Sequence, residues 1–297
     1  MRRVCNILKM KENTYMSSQI KTFMLLALLS GLMLLIGKAM GGSTGLAIAL
    51  VIALVMNVGS YWFSDKIVLA TYKAKELSPA DAPMLHRMVE DLSHKAGIPM
   101  PRLYMVPDSS PNAFATGRNP EHAAVAVTEG LMRLLNPDEL RGVLAHEIAH
   151  IANRDILVQS VAGVLATVVM YAANMLQWSA IFGGGRSNEE GNSGGGLVGG
   201  LLLAFLAPVA ASLIQFAISR SREYMADATG ASLSGTPEAL ASALAKLSNR
   251  VEQDPIHEGG QATAHMFIVN PFAGGLGGLF STHPPVEERI RRLREMR

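Results

Sequence analysis

NPDELRGVLAHEIAH, residues 136–150, is the stretch from which the rest of the chain can be interpreted. Asn136 precedes a proline and Glu139 follows three residues later, a pattern typical of a capping box at a helix start. His146 and His150 lie four residues apart, so both imidazoles project from one face of that helix and can reach one metal ion. The stretch therefore predicts a capped helix that carries two metal ligands.

Glu147 lies between the two histidines, in the position of a general base. A catalytic zinc ion has three protein ligands and one open position, where a bound water reaches a pKa of about 7. Glu147 would accept the proton of that water and later transfer it to the leaving amine. The surrounding residues are apolar, so two histidines and a glutamate without partners would be costly there. The alternative is a pair of surface histidines on an amphipathic helix.

The third ligand has to come from another part of the chain. One extended motif places a histidine six residues after His150, but Ile156 occupies that position. Glutamate is the other usual third ligand, and Glu223 begins the segment after the last apolar stretch. One zinc ion per chain, bound by His146, His150 and Glu223, is therefore expected. Asp227, one turn beyond Glu223, could accept the second ring N–H of a ligand histidine, or it could be a surface carboxylate.

Four apolar stretches indicate a membrane protein. Of the 297 residues, 49% are hydrophobic and 17% are charged, which is more apolar than soluble domains usually are. Residues 22–64 predict a transmembrane hairpin with its turn at residues 38–45; a signal peptide is the alternative for the first stretch. Residues 156–219 predict a second hairpin around a Gly-rich loop, which either spans the bilayer or is covered by the rest of the domain.

The charge pattern predicts the orientation, excludes nucleic-acid binding and argues against a transporter. Basic residues are concentrated in residues 1–21 and just after residue 64, whereas the turn between them has only Lys38. Both outer flanks are therefore expected to be cytoplasmic. A net charge of +2, without basic runs interleaved with aromatic residues, excludes nucleic-acid binding. The apolar stretches contain no acidic residue and no histidine, which argues against a transporter. The single Cys5 fits a reducing compartment.

The polar segments predict one domain of the α+β class, mainly helical and zincin-like, joined to the two hairpins, which supply about four transmembrane helices. Its first part is residues 65–155 and its second part is residues 220–297. Short strands are expected at residues 102–106 and 122–127, separated by turn-rich connectors.

Proline after a capping residue predicts two further helix starts, at Ser78-Pro79 and at Thr236-Pro237. The last helix, residues 286–297, alternates glutamate with arginine. It is expected to present a solvated basic face near anionic lipid.

These segments together resemble a known family. The paired apolar hairpins, residues 111–117, the His-Glu-Ile-Ala-His helix, Glu223 to Asp227 and residues 281–285 are similar to the HtpX membrane protease family. A more distant similarity is to the type I CAAX prenyl proteases. The resemblance covers nearly the whole chain, apart from an N-terminal extension through Met16. It implies a zinc metalloendopeptidase of the bacterial inner membrane, multi-pass, with its site facing the cytoplasm. Misfolded or damaged membrane proteins and unfolded polypeptides are the expected substrates, in protein quality control.

Two positions and one function class have competing interpretations. Asn112 begins a segment that could form a cleft edge where substrate adds as an extended strand; a structural loop is the alternative. His283 could donate to the oxyanion of the tetrahedral intermediate; a structural histidine is the alternative. A proteolytically inactive membrane receptor or scaffold that still binds metal is the competing class.

Overall fold

A computed structural model describes residues 2–162, 164–165, 220–253, 267–269 and 284–296. Within them the fold is mainly helical, with one mixed sheet. The helices are α1 (Arg2–Thr71), α2 (Pro83–Ala96), α3 (Glu129–Leu134), α4 (Pro137–Ala152), α5 (Arg220–Ser234), α6 (Pro237–Gln253) and α7 (Val286–Arg294). The strands are β1 (Lys75–Glu76), β2 (Arg102–Val106), β3 (Ala113–Thr116) and β4 (Ala124–Thr128). The predicted Gly-rich loop and most of the second hairpin lie outside the described residues.

The first helix, α1, is a hairpin of two arms. Gly41 and Gly42 have non-helical backbone angles, and the φ of +58° at Gly42 is one that side chains other than glycine rarely adopt. The arms then lie side by side, since the side-chain amide of Asn57 donates to Ser30 Oγ at 2.9 Å. The reversal falls inside the turn predicted at residues 38–45.

The second arm of α1 is the part of the described chain that is long and apolar enough to cross a membrane. It runs over Gly41–Thr71, 31 residues, seven residues past the expected end of the hairpin at Ser64. Only 17% of its most apolar window is buried within the protein. The first arm contains a shorter apolar helix, Thr22–Leu35. Four transmembrane helices therefore stay a prediction.

The sheet has the order β1-β2-β4-β3, which places β3 at one edge. β4 runs parallel to β2 and antiparallel to β3. β2 was predicted, and β4 begins two residues later than predicted because Pro120–His122 forms a 3₁₀ turn. β1 and β3 were not predicted, since two and four residues are too few to show alternation.

Two of the three predicted helix starts are confirmed. Asn136 and Glu139 form the reciprocal capping box of α4, and α6 begins at Pro237. The start at Ser78 is wrong: its N–H and hydroxyl both donate to Asp81 Oδ2, at 3.0 and 2.6 Å. This turn uses the capping groups, so α2 begins instead at Pro83.

Helix α4 lies at the centre of the domain, in close contact with α5 and α6. A Cβ atom on Gly142 would lie 2.8 Å from Leu240 N, and one on Gly230 would lie 2.9 Å from His146 N. Both glycines therefore permit helix backbones to approach more closely than a side chain would allow. The Gly230 contact brings α5 directly against the histidine-bearing part of α4.

Glu139 joins α4 to α6 by hydrogen bonds. Its carboxylate accepts hydrogen bonds from Asn136 N at 2.9 Å, Ser242 Oγ at 2.7 Å and Lys246 Nζ at 2.8 Å. Burial opposes ionisation of this carboxyl, but the three donors outweigh burial and hold its pKa below the ordinary value. The ionised form therefore stabilises the fold.

Replacing Glu139 by Gln should lower the free energy of unfolding at pH 7 by roughly 1 kcal/mol, because the ionic bond from Lys246 is lost. In the parent chain this stabilisation is complete above the ordinary pKa of 4.5. It disappears as the pH falls from there through the lower folded-state pKa. Thermal unfolding midpoints at several pH values would measure both effects. The half-exposed Glu129→Gln is the matched control, and equal pH profiles for the two variants would contradict the assignment.

Candidate metal centre

His146, His150 and Glu223 meet in one buried cluster. The two histidines come from α4 and the glutamate from the first turn of α5. One potential ligand atom from each residue lies within 4.8 Å of the others. Glu223 Oε1 lies 3.5 Å from His150 Nε2, and Glu223 Oε2 lies 3.7 Å from His146 Nε2. The structure thus brings together the three residues that the sequence predicted as metal ligands.

Each imidazole points its Nε2 atom toward the centre of the cluster and its Nδ1 atom toward a carboxylate. His146 Nδ1 lies 3.0 Å from Asp227 Oδ1, and His150 Nδ1 lies 3.2 Å from Asp155 Oδ2. A neutral imidazole that donates from Nδ1 has its lone pair at Nε2. The two Nε2 atoms are only 3.2 Å apart. Two lone pairs that face each other at this distance, beside a carboxylate, form a donor set that fits a divalent metal ion.

The charges of the cluster favour a cation at the same place. Burial opposes protonation of His150, but the carboxylates of Glu223 and Asp155 outweigh burial and raise its pKa to about 9. The negative charge that holds a proton on this imidazole also favours a metal ion. The chemistry of the donors and the electrostatics of the cluster therefore agree.

Glu147 lies beside the ligands and is itself buried, with 5% of its surface exposed. Burial raises its pKa to about 7, and the neighbouring Glu223 carboxylate acts in the same direction. The positive charge of His150 and the backbone N–H of Ala115, which donates to the carboxylate, act against them. A carboxyl with a pKa near 7 can both accept and return a proton at neutral pH.

Asp227 lies beside the Nδ1 edge of His146 and is itself held by an arginine from the last helix. Arg289 donates from Nε to Asp227 Oδ2 at 2.8 Å and from Nη2 to Oδ1 at 2.7 Å. Its third nitrogen donates to the carbonyl of Ile268 at 2.9 Å. The fork of hydrogen bonds fixes the carboxylate in position for the imidazole. Of the two alternatives for Asp227, the structure favours the partner of a ligand histidine.

Arg289 corrects the expectation for the last helix. Its neighbours Arg291, Arg292 and Arg294 are exposed, as expected for a solvated face. Arg289 has 0% of its surface exposed, because it lies one turn before the buried Leu293 on the inner face of α7. The four-residue spacing between Arg289 and the apolar Leu293 could have predicted that both lie on the inner face of the helix. The alternating charges along the helix suggested a fully solvated helix instead.

Asp155 is a second site residue that the sequence analysis missed. It is fully buried, just beyond the end of α4, and pairs with the Nδ1 edge of His150. Arg222 Nη1 lies 3.9 Å from its other oxygen. Each ligand histidine thus has its own carboxylate, and each carboxylate has a buried arginine nearby. In the sequence, only its position five residues after His150 could have indicated that Asp155 lies near this histidine.

Two weaker candidates have different outcomes. Asn112 is 2% exposed, and its side-chain oxygen accepts the N–H of Ile268 at 3.2 Å. Its backbone N–H donates to Thr128 Oγ1 at 2.9 Å. Through these bonds Asn112 itself braces the segment that also contacts Arg289, whereas a cleft edge along β3, which follows Asn112, stays a prediction. His283 lies outside the described residues.

Comparisons with known proteins identify the family of the chain. Residues 79–297 match the family described as Peptidase family M48. The Protease HtpX homolog of Syntrophobacter fumaroxidans is 62% identical over 282 residues, which are 95% of this chain and 100% of that protein. The Protease HtpX homolog of Pyrococcus furiosus is 57% identical over 278 residues, covering 93% of this chain and 95% of that protein.

A solved structure has a similar fold. The crystal structure of S. mikatae Ste24p superposes with a TM-score of 0.50 at 20% identity, covering 95% of this chain and 66% of that one. At this identity the likeness concerns the fold alone.

Removing the negative charge of Asp155 tests its role beside His150. Asp155→Asn should weaken metal binding by about 10- to 100-fold, because the uncharged amide is a weaker acceptor for the imidazole N–H and no longer places negative charge beside the ring. Competition of the purified protein with a fluorescent zinc chelator would measure the affinity. Asp138→Asn, in the exposed first turn of α4, should leave the affinity unchanged. Equal affinities in the two variants would show that Asp155 does not position the ligand.

Arg289→Met should destabilise the fold by about 3–5 kcal/mol, because it leaves the Asp227 carboxylate buried without its charge partner. Thermal unfolding of the purified chain would measure the loss. Arg291→Met is a matched control on the same helix, since Arg291 has 57% of its side chain exposed. The double variant Arg289→Met/Asp227→Asn should recover part of the stability. A single variant as stable as Arg291→Met would contradict this assignment.

Proposed function

The chain belongs to peptidase family M48 and is a metalloprotease, and we propose that it is a membrane-embedded zinc endopeptidase. The observation that carries this proposal is the meeting of His146, His150 and Glu223 beside a buried glutamate with a pKa of about 7. Two imidazoles and one carboxylate are the ligands of one class of catalytic zinc site in proteases. One zinc ion per chain is the proposed cofactor.

Zinc held by these side chains would act as a Lewis acid that lowers the pKa of a water molecule and polarises a carbonyl group. Glu147 acts as the general base: its carboxylate accepts the proton of the attacking water. It then returns the proton to the nitrogen of the leaving amine. Asp227 and Asp155 hold the two imidazoles in the tautomer that presents Nε2, and they do not exchange protons with substrate.

We propose that an extended substrate pairs with the edge strand β3, whose four residues are buried, through main-chain atoms. It lies at the edge of the sheet and packs against α4, and its Ala115 N–H reaches the Glu147 carboxylate. A peptide that pairs with this edge would place a backbone carbonyl next to the base. Main-chain hydrogen bonds bind many sequences, which suits unfolded polypeptides as substrates.

The proposed location is the bacterial inner membrane, multi-pass, with the site facing the cytoplasm. The candidate span Gly41–Thr71 leads directly into the domain that holds the site. Lys66, Lys73 and Lys75 follow its apolar part, and basic residues are more frequent on cytoplasmic flanks. A site next to a membrane helix can reach polypeptides that leave the same bilayer. Misfolded or damaged membrane proteins are therefore the proposed substrates, and protein quality control the proposed role.

Three purified proteins test the assigned roles: the parent chain, Glu147→Gln and Glu223→Ala. Glu147→Gln should keep its zinc and lose peptide hydrolysis by about 10²–10⁴-fold, because only the base is removed. Glu223→Ala should lose both zinc and hydrolysis, because it removes a ligand. Zinc content and casein cleavage of the detergent-purified proteins are the measurements. Glu129→Gln, on the exposed face of α3, is the control for the loss of one carboxylate.

Two results would reject the assignments. A Glu147→Gln protein that cleaves at the parent rate would reject the general base. A Glu223→Ala protein that keeps metal and activity would reject the third ligand. Zinc in the parent chain without cleavage of any unfolded substrate would instead favour a metal-binding receptor or scaffold.

A further inference from the structure

A cavity of about 370 Å³ opens where the membrane arm of α1 meets the catalytic domain. Trp62 and Phe63 form its apolar side, and they are 52% and 50% exposed. Lys66 and Arg102 contribute positive charge from α1 and from the start of β2. Arg118 adds a third cation from the turn after β3. None of these residues contacts the metal centre.

With α1 across a bilayer, the cavity would lie at the bilayer surface. The uncharged stretch of α1 ends at Ser64, and the charged Asp65 and Lys66 come next. Tryptophan and other aromatic residues are enriched at the level of lipid head groups, where one side of the ring is apolar and the other is wet. The three cations therefore lie at the depth of the lipid phosphates.

Structural roles account for part of the positive charge. Arg102 Nη2 donates to Asp65 Oδ2 at 2.7 Å, a salt bridge that joins the sheet to α1. Lys66 and Arg118 have no carboxylate within salt-bridge distance among the residues that the structure describes. Two cations at the mouth of the cavity thus keep their charge available for an anion.

Arg118 is held in place before any ligand arrives. Its guanidinium group stacks on the Trp62 ring, 4.4 Å from the centroid. It also donates to His122 Nε2 at 2.8 Å, and His122 Nδ1 lies 2.7 Å from Asn119 Oδ1. A guanidinium group fixed in one orientation loses little entropy when it forms a pair of hydrogen bonds to phosphate oxygens. Lys66, whose ammonium lies 5.7 Å from the Phe63 centroid, would supply the second charge.

From this arrangement we propose that the cavity binds the phosphate of one anionic glycerophospholipid, with Arg118 and Lys66 on the phosphate and the acyl chains along Trp62 and Phe63. The inference rests on one part of the proposed function, namely that α1 crosses the membrane. Arg102 adds positive charge and Asp65 balances it. The bound lipid joins the membrane arm to the sheet that carries β3, and so fixes the height of the domain above the bilayer.

The charged residues that line the cavity predict that substitutions of cations and of a carboxylate have opposite effects on lipid binding. The full-length chain is reconstituted in vesicles of equal parts phosphatidylglycerol and phosphatidylcholine, extracted with mild detergent, and analysed by native mass spectrometry. The parent should retain phosphatidylglycerol in preference to phosphatidylcholine. The double variant Lys66→Gln/Arg118→Gln should retain at least about tenfold less, because two charged donors are lost. Glu121→Gln removes a carboxylate that also lines the cavity, and should increase retention.

The control keeps the same net change of charge. Lys95→Gln/Arg133→Gln removes two exposed cations that pair with carboxylates on α2 and α3, and it should retain lipid as the parent does. Zinc content and unfolding midpoints of every variant verify that the proteins are folded. Glu121→Gln, at an exposed position, tests the site even if the double variant does not fold.

Several outcomes would overturn the inference. These are equal retention in the two double variants, retention of phosphatidylcholine as strong as that of phosphatidylglycerol, and displacement of the lipid by excess inorganic phosphate. The last would indicate a site for a free anion. A chain that an alkaline carbonate wash releases from membranes would fail both this inference and the proposed location. A chain that stays in the membrane and cleaves casein, but retains no anionic lipid, would fail this inference alone.

Discussion

The need to balance buried charge constrains the rest of this structure. Among the residues that the structure describes, four carboxylates lie within the cluster around the histidines, and two arginines lie among them. They are Glu147, Asp155, Glu223 and Asp227, with Arg222 and Arg289, and none is more than 8% exposed. Each carboxylate left without a positive partner in such an interior would cost several kcal/mol. At neutral pH the His150 imidazolium and the partly protonated Glu147 offset the carboxylates that the guanidinium groups leave unpaired, and a metal ion in place of the His150 proton would offset them as well.

The cluster draws on segments that are distant in the chain. Helix α4 supplies the histidines, α5 supplies Glu223, and α7 supplies Arg289. Glycine at position 230 allows the backbone of α5 to touch that of α4, so the glutamate can reach both imidazoles. Arg289 then connects Asp227 to the carbonyl of Ile268. Arg289 joins the cluster only when α7 has packed against α5, so the surroundings of the candidate ligands depend on tertiary contacts.

The sequence was informative where the chemistry is local. The capping box of α4, the spacing of His146 and His150, and the reversal of α1 each depend on residues close together in the chain, so each could be predicted. Glu223 could also be predicted, because a catalytic zinc site needs a third protein ligand and the predicted second hairpin left few candidate residues for it. The three candidate ligands lie together in the structure, as expected.

The remaining features depend on tertiary contacts. Arg289 belongs to a helix rich in arginine and glutamate, and only packing against α5 distinguishes it from its exposed neighbours. Asp155 has no pattern of its own, since its role comes from the ring of His150. The start of α2 was misplaced because Ser78 bonds to Asp81 rather than to a helix. β3 is too short to show a period, yet it places a backbone N–H next to Glu147.

X-ray absorption spectroscopy at the zinc edge of the purified parent chain would identify the atoms that bind the metal. We expect one zinc per chain, bound by two imidazole nitrogens and light oxygen ligands, with no sulfur. We also expect that the imidazole signal is lost when His146 and His150 are both replaced by alanine. A spectrum with a single imidazole or none, or one that the double replacement leaves unchanged, would contradict a metal centre built from these residues.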